Sequence, residues 1–202
     1  LRVRFLTEYQ DADYAERYRR RVLAAREAEA RIGGTGLAEA VMRNLFKLMA
    51  IKDEYEVARL YAETGFLDEI TARFEGEHAL RFHLAPPILA RPDPTTGEVR
   101  KLEFGPWMLG AMRWLARART WRGTWLDAFG RSPERRAERA LLAEYEADID
   151  RALAALDAEN LSDVIALAAI PDAIRGFGHV RTRSVAAIRP TWDALRARLQ
   201  PA

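Results

Sequence analysis

The sequence predicts a mainly α-helical chain, one compact helical domain carrying a small β-hairpin, and three observations lead there. Apolar residues recur at steps of three and four along most of the 202 residues. Glycine and proline punctuate those runs at the places where helices would end. Around residues 78–84 the pattern changes to alternation of apolar with polar side chains, the period of a half-buried strand. At 49% hydrophobic content the chain can bury a core as a single α-rich domain spanning 1–202.

Taken in order, residues 11–31 carry Tyr14, Tyr18, Val22 and Ala25 at helical spacing, and Gly33-Gly34 stops that helix. Thr35 can cap a second helix, whose apolar stripe passes through Leu37, Val41, Leu45, Leu48, Tyr55 and Ala62 with a bend near Ala50 until Gly65 ends it. A short helix over 66–74 follows. Residues 78–84 then read as a strand ended by Pro86-Pro87, and the turn chemistry of 91–97 returns the chain into a second strand within 99–104. A lone hairpin is marginal in water, so it must lie on helices. Helical spacing resumes over 107–118. An irregular, tryptophan-bearing segment leads to Ser132-Pro133, where serine caps and proline takes the first position of a helix reaching about residue 157. Helices over 161–169 and 180–199 complete the chain, with a kink expected at Pro190.

Composition removes several function classes. Zero cysteines exclude a disulfide framework, a thiolate nucleophile and any thiolate-held zinc or cluster within this chain. The formal charge is only +2, from 32 basic and 30 acidic residues interleaved along the chain, so no nucleic-acid partner is expected. The longest apolar run, 161–170, falls short of the ~20 residues of a membrane span, so no membrane partner is expected either. The chain begins at Leu1 with no export signal, and a longer, cytoplasmic parent is the expectation.

Six blocks, in order along essentially the whole chain, are more particular than generic helix. They are Tyr9-Gln10-Asp11-Ala12 through Tyr18; the run from Lys52 to Tyr61; Leu84-Ala85-Pro86-Pro87; Phe104-Gly105-Pro106-Trp107-Met108; Arg122-Gly123-Thr124 leading into 127–130 and 134–139; and 174–180. Together they resemble the indolepyruvate ferredoxin oxidoreductases, with Trp121 and Ala128 departing from that pattern. The resemblance implies the C-terminal accessory region of a larger enzyme. Such a parent decarboxylates aryl 2-oxoacids on thiamine diphosphate and magnesium, passes electrons through iron–sulfur clusters to ferredoxin, and forms an acyl-CoA. This chain has no Gly-Asp-Gly with a downstream Asn-Asn for the diphosphate and no cysteine for a cluster, so no catalytic residue is assigned to it. The implied partners are the catalytic parts of the parent, a second copy of the chain, and ferredoxin through the parent.

The blocks also carry readable chemistry. Lys52, Glu56 and Arg59 fall on one helix face as an ion-pair ladder, while Tyr55 and Tyr61 suit core packing. Glu134 and Glu138 repel at i,i+4, as do Arg135 and Arg139, so a structural charge network is expected in which Arg135 or Arg136 forks onto Asp53 or Asp127. Arg175-Gly176-Phe177-Gly178-His179 admits two readings: a cradle for an anion such as part of CoA, in a regulatory module, or glycines packing around a buried Phe177. In the first reading Arg122 joins Arg175, Gly176, Gly178 and His179. In the second, Arg122 takes Asp127 or Glu103 as its counterion. His78, His83 and His179 give no metal-site spacing.

Overall fold

The computed structural model describes residues 1–74, 80–84 and 102–199 and is mainly helical, with one antiparallel two-stranded hairpin. The elements are α1 (Arg2–Tyr9), α2 (Ala12–Arg31), α3 (Leu37–Met49), α4 (Glu54–Glu63), α5 (Phe66–Arg73), β1 (Phe82–Leu84), β2 (Leu102–Phe104), α6 (Met108–Arg117), α7 (Pro133–Ala154), α8 (Leu161–Ala169) and α9 (Gly178–Arg198). Short 3-10 turns, Ala118–Trp121 and Ile170–Ala173, follow α6 and α8. Where the sequence suggested a single domain, the chain divides into two compact units: Leu1–Ile51 with Ser132–Ala202, and Lys52–Arg131. Each unit has its own apolar cluster.

The first unit is built from α1, α2, α3, α7, α8 and α9. Leu37, Val41, Leu45, Leu48, Tyr145, Ile149, Val164, Leu167 and Trp192 are fully or almost fully buried in its core. The start signal at Ser132 acts as read, the hydroxyl accepting from Arg135 N with Pro133 in the first turn, and Asp11 caps α2 by accepting from Tyr14 N at 2.8 Å. Thr35 is not the cap of α3. Gly36 occupies that position at φ +100°, and the carboxylate of Glu29 reaches across to accept from Leu37 N at 2.5 Å. Tyrosine hydroxyls serve helix ends in the same way. Tyr14 donates to the Met49 carbonyl at 3.1 Å and Tyr145 to the Ala168 carbonyl at 2.8 Å, both in last turns where carbonyls lack a helical partner. Helix α1 has no sequence signature, because it lacks a capping side chain and buries only Leu6 and Tyr9.

The expected long second helix is two. Helix α3 ends at Met49, and Asp53 starts α4 afresh by accepting from Glu56 N at 2.8 Å. The two helices also belong to different units. Within the second unit, Ala58 of α4 and Met112 and Ala116 of α6 are buried with Phe82 of β1, on which Tyr61 sits edge-on. The hairpin pairs Phe82 with Phe104, His83 with Glu103 and Leu84 with Leu102, and Arg81 forms an ion pair with Glu103. It is shorter than expected over the described residues; residues 78, 79 and 99–101 lie outside them. Helix α7 stops at Ala154 and α9 begins at Gly178, with Pro190 inside it.

These placements give a ranked expectation for unfolding in urea. Leu45→Ala should cost about 3 kcal/mol, through lost burial and a residual cavity, and Ser132→Ala about 1 kcal/mol, through the lost cap. Equal costs would contradict the burial of Leu45.

Candidate functional site

The densest chemistry in the second unit lies at the start of α4. Asp53 is buried, and besides capping α4 it accepts two bonds from Arg122, at 2.6 Å to Nε and 2.7 Å to Nη2. Both side chains are more than nine-tenths withdrawn from water. The guanidinium lies 5.2 Å from the centre of the Tyr55 ring, so the charge is flanked by a carboxylate and an aromatic face. Tyr55 is buried, meets Phe129 edge-on, and donates its hydroxyl to Asp127 at 3.2 Å. Asp127 also accepts from Gly123 N at 2.8 Å and Gly130 N at 2.7 Å, which folds 123–130 around the carboxylate. Gly123 sits at φ +73°, where a side chain would strain the turn. One turn along α4, buried Glu56 and Arg59 form a two-bond pair, each bond 2.8 Å.

Burial first, and then the Asp127 and Asp53 carboxylates, push the Tyr55 phenol well above its ordinary range, against a smaller opposing pull from Arg122. The centre therefore holds a neutral phenol between two charged groups. Within the second unit, Asp53, Tyr55, Arg122 and Asp127 bond to one another and to backbone amides.

The sequence-selected residues distribute unevenly over this geometry. Asp53, Glu56, Arg59 and Asp127 are all buried in the second unit, as a charge network requires. Lys52 is exposed, so the ladder reduces to Glu56 and Arg59. Within the second unit, Asp53 receives a two-bond fork from Arg122. Arg135 pairs with Glu138, three residues on, and Arg136 is exposed. Glu138 also lies 3.8 Å from Arg181 of α9, so the Arg135–Glu138 pair meets a charge from a second helix. Arg122, expected on Asp127 or Glu103 when not on an anion, is engaged by Asp53, while Glu103 pairs with Arg81.

Arg175, Gly176, Gly178 and His179 lie in the first unit, before and at the start of α9. Arg175 and His179 are exposed, and Phe177 is 71% exposed, so the loop is not packed around a buried ring. Gly176 is at φ +79°, and a Cβ there would meet Val180 Cγ1 at 2.4 Å; the turn back onto α9 is what requires glycine. Nearby, burial holds the Lys47 ammonium below its ordinary range, and Arg175, Arg181 and Arg43 lower it further against the pull of Asp172. Lys47 donates to the Pro171 and Asp172 carbonyls, at 2.7 and 3.3 Å.

A second charge centre went unread in the sequence. Glu146 and Asp148 of α7 are buried; Glu146 binds Arg17 and Arg21, and Asp148 accepts from the Trp192 indole at 2.7 Å and from Arg196 Nε at 2.7 Å. The available signal was a run of acids at 144, 146, 148 and 150 threaded between Tyr145 and Ile149 on a helix whose apolar face is buried.

Two outcomes follow from this geometry. Arg122→Ala should cost about 3–5 kcal/mol by taking the guanidinium away from the buried Asp53 carboxylate, whereas Arg136→Ala should leave stability near unchanged, both read by chemical denaturation. Tyr55 and Tyr145 are both raised, chiefly by burial, so the stability they contribute is complete below the ordinary phenol value near 10 and is lost as pH rises through and above it. An ultraviolet titration should show these two phenols ionising only with alkaline unfolding. Ionisation of all six tyrosines near pH 10 in folded protein would contradict the burial.

Among the described residues no group of acids and histidines has the arrangement of a metal site, and no helix is long and apolar enough to cross a membrane. Comparison with curated proteins and with solved structures finds no match. A family model does match, over residues 1–194, and by it the chain belongs to the family of unknown function DUF6537.

Proposed function

We propose that this chain is the accessory and assembly region of an enzyme like the indolepyruvate:ferredoxin oxidoreductases, non-catalytic by itself and working within a larger parent. One observation carries the reading. Two of the sequence blocks that resemble that family, the run from Lys52 to Tyr61 and the segment from Arg122 to Gly130, form the two halves of one buried centre. In that centre carboxylate, guanidinium, phenol and backbone amide serve one another, which supports an architectural use of the blocks over a reactive one. The cofactors of such a parent find no fit among these residues: there is no cysteine for a cluster, and the buried carboxylates are engaged by arginines, a phenol and backbone amides. Thiamine diphosphate, magnesium, clusters and CoA are accordingly assigned to the catalytic parts. Those parts, a second copy of the chain, and ferredoxin through the parent are the proposed partners.

The test compares the complete parent polypeptide with this chain alone. The parent should reduce a viologen dye in the presence of indolepyruvate and CoA, and Arg122→Ala should lower its assembly and iron content. The isolated chain should neither turn over indolepyruvate nor retain thiamine diphosphate or iron. Turnover by the isolated chain, or a parent reading frame without thiamine and ferredoxin-type motifs, would overturn the proposal.

A further inference from the structure

Between Glu103 and Asp127 the chain carries four arginines, four tryptophans and no acid. The fold engages half of the arginines: Arg122 binds Asp53, and Arg119 reaches Glu63 at 3.5 Å. Arg113 and Arg117 are exposed on α6, and among the described residues neither pairs with a carboxylate. Three of the four tryptophans, Trp107, Trp114 and Trp125, are exposed. Trp121 is half-buried and stands edge-on to Trp114, while Trp107 and Trp114 are 66% and 59% exposed.

Helical geometry places these exposed groups together. At 100° per residue, Trp107, Ala111 and Trp114 share one face of α6, opposite the buried Met112 and Ala116, and Arg113 and Arg117 flank it. The two indoles stand seven residues apart, about 10 Å along the axis. Between them lie Gly110 and Ala111, both exposed, and a Cβ added at Gly110 would meet nothing within 4 Å. Small residues between the two exposed indoles leave a notch, with the exposed Arg113 and Arg117 at its side.

We infer that this face of α6 is a docking site for an acidic amphipathic segment of a protein partner, one apolar side chain entering the notch between Trp107 and Trp114 and carboxylates meeting Arg113 and Arg117. The charge balance selects the occupant, because the two exposed arginines, in a stretch without acids of its own, are complementary to carboxylates. The composition agrees: tryptophan and arginine dominate the residues that carry binding energy at protein interfaces. A lipid surface fits less well, since the opposite face of α6 is buried and the tryptophans share their face with the arginines instead of opposing them. This inference goes beyond the proposed enzyme context and holds for whichever polypeptide supplies the segment.

The test uses the full chain and a synthetic helical peptide with leucines on one face and glutamates on the other. Controls are the same peptide with lysine for glutamate, vesicles of equal phosphatidylcholine and phosphatidylglycerol, and a single-stranded oligonucleotide. Tryptophan fluorescence and calorimetry at low salt should report saturable binding of the glutamate peptide, weakened by added salt and absent with the lysine peptide. Arg113→Glu combined with Arg117→Glu should weaken it roughly ten-fold or more, as should Gly110→Leu, which puts a side chain into the notch at a position where a Cβ meets nothing within 4 Å. Because Gly110→Leu also favours the helix, its thermal unfolding should be unchanged or raised, which separates lost binding from lost folding. The inference fails if the glutamate peptide does not bind, if the lysine peptide binds equally, or if the variants bind like the parent chain. It fails as well if the vesicles or oligonucleotide bind more tightly, or if Gly110→Leu abolishes a self-association of the chain.

Discussion

A carboxylate withdrawn from water must find a cation or a set of donors, since an uncompensated buried charge costs several kcal/mol. Among the described residues Asp53, Glu56, Asp127, Glu146 and Asp148 are in that position, and their partners determine which segments stand together. In the first unit, Glu146 and Asp148 lie two residues apart on α7 and so point to nearly opposite sides. Glu146 holds Arg17 and Arg21 of α2, whereas Asp148 holds Trp192 and Arg196 of α9. One helix thereby fixes two neighbours by direction as well as by packing. Arginine suits the task because its planar fork can satisfy both carboxylate oxygens at once.

The same acids also complete helix ends. Asp53 starts α4 and receives Arg122, so the first turn of that helix and the segment after α6 are set by one side chain. Asp127 does for an irregular loop what Asp53 does for a helix, gathering Gly123 N, Gly130 N and the Tyr55 hydroxyl. Glu29 serves α3 from α2, and the tyrosines of α2 and α7 serve the last turns of α3 and α8. The apolar cores supply the bulk of the stabilisation, but these directional bonds select one arrangement of helices out of the many that hydrophobic burial alone would permit.

Local features were legible in the sequence and long-range ones were not. Asp11, Ser132-Pro133 and the periodicity of 161–169 act within a turn or two, and they fell where the helices are. The break before α4 was also written locally, as Asp53 three residues ahead of Glu56, but the apolar stripe continuing to Tyr55 and Ala62 masked it. That stripe continues because both units bury it. The need for a buried arginine fork on Asp53 was readable from residue type; that Arg122 supplies one was not, because it is 69 positions away with no periodic relation to Asp53. On α7, i,i+4 repulsion drew attention from the i,i+3 attraction of Arg135 and Glu138, although the same six residues contain both. Phe177 shows the limit of reasoning from residue type alone, since an aromatic between two glycines stands in solvent.

Tryptophan makes the contrast between the two units sharpest. In the first unit Trp192 is fully buried, its indole N–H held by Asp148 and its ring flanked by Arg189 and Arg196. In the second, Trp107, Trp114 and Trp125 leave most of their surface in water. The difference does not lie in the side chain, which is the same, but in the supply of acids: α7 brings carboxylates to Trp192, and the chain from 104 to 126 brings none. A helix without acids and with its tryptophans left outside gains little stability from either choice, because exposed indole and exposed guanidinium both favour partners over water. Substitutions in the first unit should therefore act through folding, and substitutions on the exposed face of α6 through association, even though both involve the same two residue types.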